Sequence, residues 1–166
     1  MALYHSSDIG PSGIISRLDF QSSRNSQSVS YSYFVVNFCH TSFDELVTRF
    51  NDNYDGNDEV LVYRAQPGGF SGDKDDWVVI NFNKNDFVYN GNDNIIVEVK
   101  WSGCSHSSLY NYTFNTDGDH MIYSYNAGVN AEYAQYKREE ANRIRLTIEY
   151  TAVENTSLGA VRALFN

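Results

Sequence analysis

The stretch from Trp77 to Trp101, WVVINFNKNDFVYNGNDNIIVEVKW, decides the fold class of this chain. Its apolar residues recur at every second position on both sides of a polar segment, Asn90 to Asn94. This is the pattern of two half-buried β-strands with a turn between them. Ile80 and Phe82 are predicted to share one face of the first strand. Gly91 supplies the positive φ that a tight turn needs.

We expect these two strands to pair with each other, residues 77–82 against 95–99, and Trp77 to help close the core. The same alternation turns Glu98 and Lys100 of the second strand toward water. The pattern therefore predicts a sheet, and it does not by itself indicate a reaction.

The rest of the chain contains further short strand patterns. The segment 30–39 has large apolar residues on both faces, so we expect a central strand that is covered on both sides. A cap at Thr41 or Ser42 followed by acidic residues predicts a short helical turn at 41–46. Residues 66–76 read as a glycine-rich loop. More strands are predicted at 14–20, 59–64, 110–114, 121–125 and 144–150.

The composition agrees with an all-β protein, because the chain has 13 Tyr and 10 Phe but only 2 Pro, and aromatic residues favour strands. Many short strands with polar turns predict an antiparallel β-sandwich of jelly-roll kind, with one short helical turn. We expect one domain at 1–150 and a C-terminal tail at 151–166.

The net charge of −9 argues against nucleic acid and anionic membranes as partners, because both attract clusters of Lys and Arg. No stretch approaches the roughly 20 apolar residues that span a bilayer. The N-terminus lacks the pattern of a secretion signal. Residues 1–7 have the pattern of a strand whose first part is missing. We therefore expect any leader to have been removed.

Aromatic, Gly and Asn residues stand in a particular order in segments 50–57, 60–62, 77–82, 87–99 and 101–103. In this order they resemble a β-sandwich accessory module of secreted and cell-surface bacterial proteins, a kind found in peptidases and in multidomain exported proteins with C-terminal sorting tails. The resemblance implies an extracellular or cell-surface location and a structural or adhesive role, with other surface proteins or further copies of the chain as partners. It carries no catalytic residues.

The acidic loop at 51–59 suggests calcium as a cofactor, because it offers closely spaced carboxylate and amide oxygens. The candidate ligands are Asp52, Asn53, Asp55 and Asp58. The loop is not a complete EF-hand sequence. The alternative is a solvated turn without a cofactor, in which these side chains cap backbone groups.

Tyrosines cluster in the last third of the chain and could form a platform for a sugar ring. The candidates are Tyr110, Tyr112, Tyr123 and Tyr125, with Tyr133 and Tyr136 nearby in the sequence. The alternative is a role in packing, since a half-buried strand pair shows the same alternation.

Cys39 and Cys104 could form a disulfide or remain as two thiols. With His40 and His106 they also supply four residues of the two types that most often bind zinc, although the spacing matches no established structural zinc motif.

The C-terminal residues Leu158, Val161, Leu164 and Phe165 fall at helical spacing. They could pack on the domain or add to the open edge of another subunit, which would produce a self-associating chain or filament. The alternative is a frayed terminus.

No catalytic motif such as G-x-S-x-G or H-E-x-x-H is present in the chain. We therefore expect a non-catalytic extracellular module with a structural or adhesive role, which self-associates on the cell surface. The alternative is a calcium-assisted carbohydrate-binding module. The third hypothesis is that the chain is an accessory domain of a secreted peptidase or glycosidase.

Overall fold

The computed structural model describes residues 1–105, 109–125 and 129–150. The strand pairs in these residues are antiparallel, which confirms the all-β fold class. Two short helices occur, α1 at Ser6–Ile9 and a 3-10 helix at Phe50–Tyr54. The strands are β1 Ala2–Tyr4, β2 Gly13–Gln21, β3 Gln27–Tyr31, β4 Tyr33–Thr41, β5 Val60–Ala65, β6 Gly68–Gly72, β7 Trp77–Asn81, β8 Phe87–Tyr89, β9 Asn94–Ser102, β10 Thr113–Asn115, β11 Met121–Tyr123, β12 Tyr136–Arg138, β13 Glu140–Asn142 and β14 Ile144–Tyr150.

Two sheets form a sandwich. One has six strands in the order β12-β11-β1-β9-β4-β5, and the other has the order β14-β2-β7 with β8 also paired to β2. The predicted strand at 30–39 is divided at Ser32. Its first part belongs to β3, which pairs with β6, and its second part is β4, which lies between β9 and β5 and is buried on both faces as expected.

The turn at Asn90 to Asn94 carries the chain from one sheet to the other. Strands β7 and β8 pair with β2, whereas β9 pairs with β4 and β1. The predicted pairing of β7 with β9 is therefore wrong, because alternation shows which side of a strand is apolar and not which strand lies beside it. Gly91 has a φ of 80°, and a Cβ there would lie 2.6 Å from the backbone nitrogen of Ser12.

The main core lies between the two sheets. Phe38 of β4 is fully buried there, and its ring centre is 5.3 Å from that of Phe82 and 5.4 Å from that of Phe87. A second, smaller cluster covers the outer face of the six-stranded sheet and consists of Leu3, Cys39, Leu46, Phe50, Ile96 and Ile122. The 3-10 helix contributes Phe50 to this cluster, so β4 and β9 are buried from both sides.

Several local expectations are corrected by the structure. No helix forms at 41–46, and the 3-10 helix lies instead inside the segment predicted to be the acidic loop. The segment 66–76 contains β6. Trp77 is half-buried, and the centre of its ring lies 4.7 Å from the guanidinium carbon of Arg145. Trp77 therefore belongs to the surface of the sheet rather than to the core.

Glu98 does not point to water but is buried, with 4% of its surface exposed. Its carboxylate accepts hydrogen bonds from Asn37 at 3.1 Å and from the Tyr54 hydroxyl at 2.8 Å, and it pairs with Lys100 at 2.7 Å. The alternation placed Glu98 correctly on the outer face of the sheet. That face is covered at this point, and the contact partners compensate for the burial of the charge.

We predict that Phe38→Ala lowers the free energy of unfolding by about 3–5 kcal/mol, because it removes a fully buried ring. Val88→Ala is the control, since Val88 is 69% exposed; it should change stability by no more than about 0.5 kcal/mol. Urea denaturation of both variants measures the difference. Equal losses would contradict the placement of the core.

Candidate functional site

A cavity of about 570 Å³ lies between the two sheets. Val97 and Val99 of β9 form part of one wall, and Phe20 and Ile80 of the opposite sheet form part of the other. Trp101, at the end of β9, lines the cavity and is 37% exposed. The inner part of the cavity is therefore apolar and its outer part is aromatic.

Three tyrosines form a cluster beside this cavity. Tyr123 of β11 and Tyr136 of β12 are cross-strand partners, and their rings stack with centres 5.1 Å apart at an angle of 23°. Tyr125 lies edge-on to both rings, at 5.1 Å from Tyr123 and 5.9 Å from Tyr136. Tyr125 and Tyr136 are exposed. Arg138 donates a hydrogen bond to the Tyr123 hydroxyl at 3.2 Å.

The structure brings together part of the tyrosine set that was predicted from the sequence. Tyr123 and Tyr125 line the cavity, and Tyr110 lines it as well, although the Arg24 guanidinium lies 3.6 Å from the Tyr110 ring centre and covers one ring face. Tyr112 is not among the lining residues and lies near Arg143, 5.5 Å from its guanidinium.

Polar groups on the cavity wall could bind hydroxyl groups. Asn111 has a buried Oδ1 atom with no hydrogen-bond partner among the described residues. Burial raises the pKa of Tyr31 to about 12, with a further contribution from Cys104. The Tyr31 phenol therefore stays protonated and can donate a hydrogen bond. Arg138 and Glu140 add charged groups to the same wall.

Sequence reasoning missed Tyr31, Asn111 and Arg138 as candidate binding residues. These residues lie far apart in the sequence, and no local pattern connects them. Trp101 was noticed only as part of the module-like segment 101–103. Only the pairing of β11 with β12 and the closure of the sandwich place these side chains around one cavity.

The loop predicted to bind calcium uses its side chains to hold the backbone. Asn53 is fully buried, and its amide bonds to backbone groups of Val47, Arg49 and Phe50. Asp55 accepts hydrogen bonds from Ser42, which lower the pKa of its carboxyl group.

The contacts of the other two candidate calcium ligands are with different residues. Asp52 lies 3.5 Å from Arg49, and Asp58 offers its backbone carbonyl to the Cys39 thiol at 3.6 Å. In the described part of the chain, no three His, Cys, Asp or Glu side chains are placed to share a metal ion. Calcium binding by this loop stays a prediction.

Cys39 and Cys104 are not joined by a disulfide in the described structure. Cys39 pairs with Ile96 across β4 and β9, whereas Cys104 lies beyond Ser102, the last residue of β9. The six residue steps along the strand from Ile96 to Ser102 span about 20 Å, and a disulfide needs Cα atoms within about 7 Å. The same distance separates Cys39 and His40 from Cys104, so these three residues are not placed to bind one zinc ion.

The remaining predicted features lie outside the described residues. These are His106 and the assembly residues Leu158, Val161, Leu164 and Phe165. Self-association through the tail stays a prediction. Among the described residues, no helix has the length and apolar character required to cross a membrane.

Comparisons with protein-family models, with curated proteins and with solved structures found no match to this chain. The case for a function therefore depends on the residues themselves.

We predict that the Cys39 thiol is unreactive in the folded protein. Burial, with nearby carboxylates including Glu59, raises its pKa to about 11, so at pH 8 only about one thiol in a thousand is the reactive thiolate. A Cys104→Ser variant isolates Cys39. Its maleimide labelling, followed by mass spectrometry, should be negligible in buffer and complete in denaturant. Rapid labelling of the folded variant would contradict the burial of Cys39.

Proposed function

We propose that this chain is a non-catalytic, extracellular β-sandwich module that binds carbohydrate at the aromatic cavity and thereby has an adhesive role. The observation that supports this proposal is the cluster of Tyr123, Tyr125 and Tyr136 beside a cavity whose wall contains an Asn111 oxygen with no hydrogen-bond partner among the described residues. Exposed aromatic rings next to unsatisfied polar groups are what a sugar ligand requires.

A pyranose ring has apolar C–H faces and a rim of hydroxyl groups. The C–H faces pack well on flat aromatic rings such as those of Tyr125 and Trp101, which are both partly open to solvent. A hydroxyl group can donate a hydrogen bond to Asn111 Oδ1, a buried atom to which no described residue donates one. The Tyr31 phenol and Arg138 can donate hydrogen bonds to sugar oxygens.

The charges favour a neutral sugar over an acidic one. The chain has a net charge of −9, so an anionic polysaccharide would be repelled over the surface as a whole. Arg138, whose side chain already binds Tyr123, is the positive group identified on the described cavity wall. We therefore expect a neutral hexose or a short neutral oligosaccharide.

The cavity wall supports binding rather than hydrolysis. Glu140 is the carboxylate on the described wall, whereas glycoside hydrolysis generally uses two carboxyl groups that flank the scissile bond. A single acidic side chain on the wall can accept a hydrogen bond from a hydroxyl group but does not form such a pair.

The experiment is a screen on an array of neutral glycans, followed by calorimetry with the best ligand. We expect Tyr125→Ala and Tyr136→Ala each to weaken binding at least about tenfold, because aromatic residues dominate the binding energy of such sites. Tyr150→Ala is the matched control, since Tyr150 is 60% exposed but neither lines this cavity nor contacts the tyrosine cluster beside it. Its affinity should equal that of the wild type.

Repeating the titration in EDTA tests the calcium-assisted form of this proposal, because loss of binding in the chelator would show a cation requirement. The absence of any glycan ligand at millimolar concentration would contradict the proposal. Unchanged affinity in both tyrosine variants would show that the ligand binds elsewhere on the protein.

A further inference from the structure

Two histidines lie close together at the start of strand β11. Tyr123 is the last residue of the same strand. His5 follows β1, and His120 precedes β11. The two strands are paired through Ala2 and Met121, and the backbone nitrogen of Leu3 donates to the His120 carbonyl at 2.9 Å. Strand pairing thus brings together two imidazoles that are 115 residues apart in the sequence.

The two imidazoles approach each other through their Nε2 atoms. The distance between His5 Nε2 and His120 Nε2 is 3.1 Å, whereas the ring centres are 4.6 Å apart. Two nitrogen ligands at about 2.0–2.1 Å from one tetrahedral zinc ion lie roughly 3.3 Å from each other. The observed separation is therefore close to that of two imidazoles bound to the same ion.

A neutral imidazole carries its proton on one ring nitrogen and has a free lone pair on the other. When the proton of each ring is on Nδ1, the Nε2 lone pairs of both His5 and His120 are available to a metal ion.

There is space for an ion next to the pair. A cavity of about 430 Å³ is lined by both histidines and by the acidic residues Asp8, Asp44, Glu45 and Asp117. The carboxylate of Asp44 lies 4.0 Å from His5 Nδ1. His120 is 5% exposed, whereas the side chain of His5 is about one-third exposed, so an ion could enter from the side of His5.

We propose that His5 and His120 bind a divalent transition-metal ion of the zinc class through their Nε2 atoms. The two histidines are the only protein ligands placed for this ion among the described residues, so water molecules complete the coordination, and the site keeps exchangeable positions. Imidazole nitrogen favours zinc, copper and nickel over calcium and magnesium. This site is separate from the loop considered for calcium and from the aromatic cavity.

The bound ion would join β1 to β11. Because it binds the folded chain and the two histidines are far apart in the unfolded chain, it should raise the melting temperature with increasing zinc concentration. The distance of 3.1 Å between the two Nε2 atoms is also that of a hydrogen bond without a metal, in which His5 Nε2 carries the proton and donates it to His120 Nε2. Zinc titration distinguishes the two arrangements.

The experiment uses untagged protein, freed of metal with EDTA and titrated with zinc chloride by calorimetry and by thermal unfolding. We expect one zinc ion per chain and a rise in melting temperature that EDTA reverses. His5→Asn is the main variant, because His5 is partly exposed and its replacement should not impair folding. His5→Asn and His120→Asn should each lower the zinc affinity at least about tenfold.

The control is the double variant His40→Asn/His106→Asn, which removes the two histidines outside the pair and should bind zinc as the wild type does. Titration with Cu²⁺ and electron paramagnetic resonance then tests for two equivalent nitrogen ligands, which should become one in His5→Asn. The absence of zinc binding by the wild type would overturn the proposal. Wild-type affinity in His5→Asn would also overturn it.

Discussion

The pairing of β4 with β9 is the constraint on which the rest of the structure depends. These two nine-residue strands pair along their whole length, from Tyr33 opposite Ser102 to Thr41 opposite Asn94. The main core covers one face of the pair, and the cluster around Leu46 and Phe50 covers the other. Burial on both faces determines the register, because a shift of one residue would exchange the two buried sets of side chains.

A buried polar network lies on this strand pair. Asn37 of β4 donates to Glu98 of β9, and Tyr54 of the 3-10 helix donates to the same carboxylate. Burial alone would lower the pKa of Lys100, but its contacts with Glu98 and Glu59 outweigh that effect and raise it. The carboxylate thus has partners from β4, β9 and the 3-10 helix, which ties the covering segment to the sheet.

The two proposed sites are linked by the position of β11. This strand pairs with β1, which pairs with β9, so its place follows from the central strand pair. His120 precedes β11 and Tyr123 ends it, and three residues of strand span roughly 10 Å. A metal bound at one end would hold the strand whose other end carries the aromatic cluster.

The success of the sequence predictions differed between local and long-range features. The strands β2, β5, β9 and β14 lie close to their predicted positions, because alternation of apolar residues follows from the geometry of each strand alone. The helical turn was predicted about ten residues too early. The acids after Thr41 do not start a helix, and Asp55 instead bonds to Ser42 from the far side of the loop.

The candidate sites show the same division. Tyr123 and Tyr125 were identified from their clustering in the sequence, whereas Tyr136 became their stacking partner only through the register of β11 and β12. No spacing in the chain indicated that His5 would meet His120. The rings are close because β1 pairs with β11. These two strands are separated in the sequence by most of the domain.

The sequence by itself determined the all-β class, the positions of most strands and the side of each strand that is apolar, because these depend on backbone geometry and on neighbouring residues. Only the tertiary structure decided that β7 and β9 belong to different sheets, that Glu98 is buried, and that distant side chains form a cavity and a histidine pair. These features depend on contacts between segments far apart in the chain, whose free energy is gained only when the two sheets pack together.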